Sequence, residues 1–220
     1  MTNSPLSFTL VIAVFLFLAI DLIASQESFF RQQQSRFNFL NSLPFELSQG
    51  AHKSFLPIHF GLISLSMLSY ILFPIIVLPS GSTQFYYSII IYVMMAISGL
   101  IILSLFIITM NNYRLHLFAL ALLFATTIGE SVGLTLYLLQ SPFGSYPLPL
   151  AFFAAVPAIL TLGFAFNPRL SKWPIMDKRE LQDGTLQILR PRYFVLAYTE
   201  WALIMINLIF VLYFFIVSVL

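Results

Sequence analysis

Five ionisable residues interrupt stretches of sequence that are otherwise apolar: Asp21, His59, His116, Glu130 and Glu200. An ionisable side chain at the centre of a membrane helix costs at least about 2.5–3.5 kcal/mol, so each of these residues is a candidate for function. Carboxyl and imidazole groups there can bind a proton, a cation or the polar part of a solute. The chain contains no cysteine, which excludes disulfides, thiolate metal sites and cysteine nucleophiles.

Glu130 is the strongest of these candidates. It lies about fifteen residues into an apolar stretch, which places it near the membrane midplane if that stretch is a helix. A period of about 3.6 residues puts His116, Thr126 and Tyr137 on the same face, which is small or polar throughout, so Glu130 should not face lipid. A dry, neutral carboxyl at this depth could relay a proton or coordinate a cation. The equally weighted alternative is one structural hydrogen bond between helices.

Glu200 and Asn207 form a second candidate group near the start of the last apolar stretch. They are seven residues apart, so they share one face of a helix. Glu200 could pair with Arg190, Arg192 or a histidine, and such a pair near the interface could equally be structural.

His59 and His116 lie about one turn inside the same predicted membrane boundary, on different helices. Two imidazoles at one depth could in principle hold a haem iron or a metal ion. An interfacial histidine is more often a hydrogen-bonded packing residue, so we expect no metal site and no cofactor. Asp21 lies near the same boundary, where its carboxylate could simply reach the headgroups.

The composition defines the class of protein that must position these residues. Of the 220 residues, 60% are hydrophobic and only 8% are charged. Too few charged side chains remain to cover a soluble domain, and the hydrophobicity is too high for a disordered chain. The net charge of +2 does not indicate a nucleic-acid partner. The sequence therefore predicts an integral membrane protein in a lipid bilayer, without indicating which membrane.

Six stretches are long and apolar enough to cross a bilayer, which takes about 20 residues for a helix. None alternates as a barrel strand would, so the predicted fold is all-α, a polytopic bundle of six transmembrane helices forming a single domain over residues 1–220. The predicted helices cover about residues 6–24, 55–78, 85–110, 115–139, 148–166 and 194–220.

All ten basic residues fall in the first, third and fifth connections between these helices. Six helices place these three connections on one side, and an excess of Lys and Arg marks the cytoplasmic side. Both termini are therefore predicted to be non-cytoplasmic. A signal peptide at residues 1–24 is the main alternative, but Met1–Pro5 has no basic residue and cleavage would reverse the charge pattern of every later loop.

The two long connections have further predicted roles. Apolar residues recur at near-helical spacing over residues 26–50, which fits either an interfacial segment lying among headgroups or a loop packed against the bundle. The fifth connection, residues 167–193, is a basic cytoplasmic loop. Its candidates for binding an anionic head group are Lys178, Arg179, Arg190 and Arg192.

Three functions fit these features. The first is a transport or channel protein in which Glu130 and Glu200 bind a proton, cation or polar solute. The second is a non-catalytic subunit or assembly factor of a larger membrane complex, favoured by the short exposed loops. The third is a membrane-embedded enzyme acting on a lipid or other apolar substrate, with one of the two carboxyls as acid. We expect the first, as a homo-oligomer or as part of a membrane complex.

Overall fold

The computed structural model describes residues 5–78, 85–140, 147–170, 177–180, 186–189, 191 and 193–219. Seven α-helices and one antiparallel hairpin form over these residues. They are α1 Pro5–Gln33, α2 Pro44–Gly50, α3 Leu56–Val77, α4 Phe85–Leu105, α5 Tyr113–Gln140, α6 Pro147–Ala165, β1 Asp177–Glu180, β2 Leu186–Leu189 and α7 Val195–Val219. Every helix except α2 is long and apolar enough to span a membrane, which confirms the predicted bundle of six transmembrane helices.

Helix α7 lies at the centre of the bundle. The other spans pack in chain order, α1 on α3, α3 on α4, α4 on α5 and α5 on α6, while α7 contacts α1, α3, α5 and α6. Large buried side chains such as Phe210 and Phe214 accordingly lie on α7. The first, third and fifth connections meet at one end of this bundle, and we call it the basic end because the sequence places all ten Lys and Arg residues in those connections.

Helix α4 ends at Leu105, although the apolar sequence predicts a helix to residue 110. The last carbonyls of a helix have no partner within it and need another donor. Here the Phe106 carbonyl accepts a hydrogen bond from the Ser48 hydroxyl at 3.1 Å, and the Ile108 carbonyl accepts one from His116 Nδ1 at 2.9 Å. The end of α4 is therefore fixed by side chains from α2 and α5.

Helix α1 is longer than its apolar sequence, running to Gln33 instead of ending near residue 24. Its 29 residues extend about 43 Å, against about 30 Å of hydrocarbon, so its polar last turns project beyond the membrane core at the basic end.

The segment that follows α1, which includes α2, packs against the basic end of the bundle. Its buried apolar side chains include Phe37, Leu43 and Phe45. Two hydrogen bonds tie it to the start of α7: Trp201 Nε1 donates to the Ser42 carbonyl, and the Phe194 amide donates to the Leu40 carbonyl, each at 2.9 Å. Of the two interpretations of residues 26–50, these contacts correspond to the packed one for the part that follows α1.

A serine of α5 forms hydrogen bonds with the backbone of α6 next to a proline in that helix. Pro157 has no amide hydrogen and distorts the helix around it. The Ser131 hydroxyl lies between the two neighbouring backbone groups, donating to the Ala154 carbonyl at 2.5 Å and accepting from the Ala158 amide at 3.1 Å. Close approach of the two helices is possible here because buried Ala154 and Ala158 are small.

Replacing this serine tests its role. Ser131→Ala should destabilise the folded protein by about 1–3 kcal/mol, because the Ala154 carbonyl and the Ala158 amide lose the buried hydroxyl that bridges them. Ser69→Ala is the matched control, since the Ser69 hydroxyl donates only to Leu65 of its own helix. Unfolding in mixed micelles measures both variants, and equal destabilisation would contradict the role assigned to Ser131.

Candidate functional site

The Glu130 carboxyl is held within the bundle by side chains from two other helices. Glu130 is fully buried in the middle of α5. Its Oε1 is hydrogen-bonded to the Ser98 hydroxyl of α4, and its Oε2 lies 2.9 Å from the hydroxyl of Tyr70 on α3. Because both oxygens have partners from different helices, the carboxyl joins α3, α4 and α5.

These contacts continue in both directions to form a chain of polar side chains. On one side Ser98 lies 2.8 Å from the Thr126 hydroxyl. On the other side the Tyr70 hydroxyl lies 3.0 Å from Oδ1 of Asn207 on α7. We call this chain, completed by Thr127, the central network. Its members in order are Thr126, Ser98, Glu130, Tyr70, Asn207 and Thr127.

The orientation of the Asn207 amide is fixed by its surroundings. Its Nδ2 donates to the Thr127 hydroxyl at 2.8 Å and to the Leu203 carbonyl at 2.9 Å. A carbonyl can only accept, so the nitrogen must lie on that side and Oδ1 must face Tyr70. The Tyr70 hydroxyl therefore has to donate to Asn207 if that contact is a hydrogen bond.

Counting hydrogens shows that the central network needs a proton on Glu130. Three side-chain contacts link Ser98, Glu130, Tyr70 and Asn207 in series, while the Thr126 hydroxyl also donates to backbone carbonyls of its own helix. The hydroxyls of Ser98 and Tyr70 supply two hydrogens, and an ionised carboxyl supplies none. With one proton on Oε2, each of the three contacts has a donor: Ser98 donates to Oε1, Oε2 donates to Tyr70, and Tyr70 donates to Asn207. The complete arrangement therefore contains a neutral carboxyl.

A second buried pair joins α5 to α7 nearer the basic end. His116 Nε2 lies 2.6 Å from Glu200 Oε1, and both side chains are fully buried. His116 Nδ1 carries a hydrogen because its partner, the Ile108 carbonyl, can only accept. One further proton is therefore shared between Nε2 and Oε1. The other carboxylate oxygen, Oε2, has no hydrogen-bond partner. Glu200 thus pairs with a histidine, one of the partners predicted for it.

A third buried pair joins α1 to α3. His59 Nδ1 lies 2.8 Å from Asp21 Oδ1 and 2.9 Å from the Ser25 hydroxyl. Asp21 is therefore buried in the bundle and does not reach the headgroups as the sequence suggested. His59 and His116 contact different helices, and both nitrogens of His116 are already engaged. Within the described ranges, no group of three or more His, Asp or Glu residues is placed to hold a metal ion.

Two of the four predicted head-group candidates lie in the hairpin of the fifth connection. Lys178 and Arg179 are in β1, which pairs with β2 so that Asp177 is opposite Leu189. Arg190 and Arg192 lie outside the described residues.

Sequence reasoning did not identify the partners of Glu130. Ser98 lies on α4, which contains no Asp, Glu, His, Lys or Arg, so nothing in its own sequence marks it as part of a polar site. Tyr70 shares a helix face with His59 and Ser66, a pattern that was visible in the sequence, but nothing there indicates which helix this face contacts. Thr127 follows Thr126, which lies on the polar face of α5, but nothing in the sequence indicated a role for Thr127 itself.

Comparison of the chain with protein-family models, with characterised proteins and with solved structures gave no match. The function is therefore argued from the site alone. The coarse class is clear, because six apolar helices describe an integral, multi-pass membrane protein.

Proposed function

We propose that this chain is a membrane transport protein in which proton binding at Glu130 controls the packing of the helices. The observation that supports the proposal is the central network, in which one mid-membrane carboxyl holds together side chains from α3, α4, α5 and α7. Buried ionisable groups in transmembrane helices are typical of proton and ion pathways.

The proton count links the protonation of Glu130 to the packing of the helices. With Glu130 ionised, two hydrogens remain for the three contacts from Ser98 to Asn207, so one buried contact brings two acceptors together. A buried group without its partner costs about 1–3 kcal/mol. Loss of the proton therefore favours an arrangement in which these helices separate and water reaches the carboxyl. A ligand shifts a conformational equilibrium by its difference in affinity for the two states, and here that ligand is the proton.

The His116–Glu200 pair supports a direction for this movement. Glu200 and Asn207 lie on one face of α7, so the same helix contacts the central network and the pair nearer the basic end. Both sites bring α5 and α7 together, and both hold a proton that could be released. We infer that α7 moves against α5 when protons enter or leave from the basic end. The predicted cytoplasmic orientation of that end and the predicted oligomer stay predictions.

Reconstitution tests this function. The purified protein in liposomes with an entrapped pH-sensitive dye should move protons when a membrane potential, a sodium or potassium gradient, or a gradient of a small polar solute is applied. Glu130→Gln should reduce this movement to the level of protein-free liposomes, because an amide cannot release its hydrogen. Glu180→Gln is the matched control, since Glu180 lies in the hairpin and on none of the six spanning helices. Equal proton movement by Glu130→Gln and the unaltered protein would contradict the proposal.

An infrared measurement reads the proton directly. The folded protein should show the carbonyl stretch of a neutral carboxyl that is shielded from deuterium exchange, and Glu130→Gln should lack it. If no neutral carboxyl band is lost in this variant, Glu130 is ionised and the proton count above is wrong.

A further inference from the structure

The pair formed by Asp21 and His59 leaves two buried polar atoms without a partner. Asp21 Oδ2 and His59 Nε2 are both buried and make no hydrogen bond. Buried polar atoms in folded proteins are nearly always hydrogen-bonded to protein or to water, so these two atoms are available to bind a proton or a water molecule. Because Asp21 Oδ1 and the Nδ1 edge of His59 face each other at 2.8 Å, a neutral imidazole donates from Nδ1 and keeps its lone pair on Nε2.

A cavity lies beside this pair, toward the basic end. It has a volume of about 560 Å³ and is lined by Ala24, Ser28, His52, Phe55 and the ion-paired Glu27 and Arg31. Asp21 and His59 do not line it, but the Ser25 hydroxyl, which bonds to both of them, lies on α1 next to Ala24 and about one turn before Ser28. Phe55 lines the cavity, and its ring centroid is 6.4 Å from that of His59.

We propose that Asp21 and His59 form a second proton-binding site, which takes protons from water in this cavity. In the binding step, the Nε2 lone pair of His59 forms an N–H bond as an O–H bond of a hydronium ion breaks, leaving a water molecule. The Nδ1 hydrogen stays on His59 and remains donated to Asp21 throughout. With an ionised Asp21 the pair then changes from a net charge of −1 to zero, which removes an uncompensated charge from the protein interior.

Among the described residues, Asp21 is the charged group that contacts the His59 ring. On α1 the ring faces Asp21 and Ser25. The other contacts of the His59 ring are aromatic. Phe55 and Phe60 are close to His59 in sequence, and Phe106 directly follows α4. The charged groups of the cavity are Glu27 and Arg31, which form an ion pair, and His52 also lines it.

The three histidines of the chain make the test direct. Nitrogen-15-labelled histidine, incorporated into the full-length protein in lipid nanodiscs, reports for each ring nitrogen whether it carries a hydrogen. His59 should gain a hydrogen on Nε2 as the pH is lowered. Asp21→Asn should lower the doubly protonated fraction of His59 about tenfold at a given pH, because the opposite charge is lost. Ser25→Ala keeps the charge and should change this fraction far less.

The route through the cavity has its own matched pair of variants. Ala24→Leu fills this cavity and should slow exchange of the His59 ring hydrogens with water at least tenfold. Ala202→Leu adds the same volume to a different cavity, between α1 and α7, and should leave the exchange unchanged. The His116 signals report that each variant is folded, because both His116 nitrogens bond to fixed partners.

Two results would overturn the proposal. A His59 ring that keeps one protonation state at every pH at which His116 shows a folded protein excludes a proton site, whatever the variants do. Equal exchange in Ala24→Leu and Ala202→Leu excludes the cavity as the route. Neither result concerns Glu130, which lies on α5 and is tested by the proton-movement measurement in liposomes.

Discussion

Glu200→Ala should destabilise the folded protein by about 3–5 kcal/mol, one of the two largest effects that we expect. Removing one member of a buried charged pair leaves the other without compensation in a medium of low dielectric constant. His116 and Glu200 are fully buried and 2.6 Å apart, and the same histidine also holds the end of α4 through the Ile108 carbonyl. Reversible unfolding in mixed micelles or bicelles measures the free energy.

A double-mutant cycle separates the pair from the packing around it. Thr199→Ala is the control for a buried polar side chain at the neighbouring position, since its hydroxyl donates only to Val195 of the same helix. His116→Ala combined with Glu200→Ala should cost less than the sum of the single changes by about 1–3 kcal/mol, because the second change removes a partner that is already lost. Strictly additive effects, or a Glu200→Ala as mild as Thr199→Ala, would show that the contact carries no interaction energy.

The spans could be predicted because the bilayer itself sets their length and composition. Their ends could not. The sequence stays apolar through Phe106, Ile107 and Ile108, so hydropathy cannot show that α4 ends at Leu105. Beyond that residue, the Phe106 and Ile108 carbonyls accept hydrogen bonds from Ser48 and His116. At the other extreme, α1 continues through polar residues to Gln33 because a helix outside the hydrocarbon needs no apolar side chains.

The candidate site was predictable in part for a related reason. Helical periodicity placed Glu130 on a polar face, and the side chain is buried. Periodicity acts within one helix and does not state which helices are neighbours. The assignment of Ser98 and Tyr70 to Glu130, of His116 to Glu200 and of His59 to Asp21 depends on the packing of α1, α3, α4, α5 and α7, which no single stretch encodes.

The second large effect concerns the choice of residue at position 130. Glu130→Leu should destabilise the protein by about 1–3 kcal/mol for each of the two hydroxyls that lose a buried partner. Those hydroxyls belong to Ser98 and Tyr70. Glu130→Gln should be close to the unaltered protein in stability. Its carbonyl oxygen accepts from Ser98, and its amide donates to Tyr70, which still donates to Asn207. The unfolding measurement above compares the two variants directly.

Tyr70→Phe distinguishes this account from a simple requirement for a polar residue at position 130. It removes the hydroxyl between Glu130 and Asn207 while keeping the ring, which is fully buried. If the central network acts as one unit, adding Tyr70→Phe to Glu130→Leu should cost less than Tyr70→Phe alone, because Tyr70 has by then lost Glu130. A Glu130→Leu protein as stable as Glu130→Gln would mean that the carboxyl holds no helix in place. Proton binding at Glu130 would then have no means of moving α3, α4 and α7.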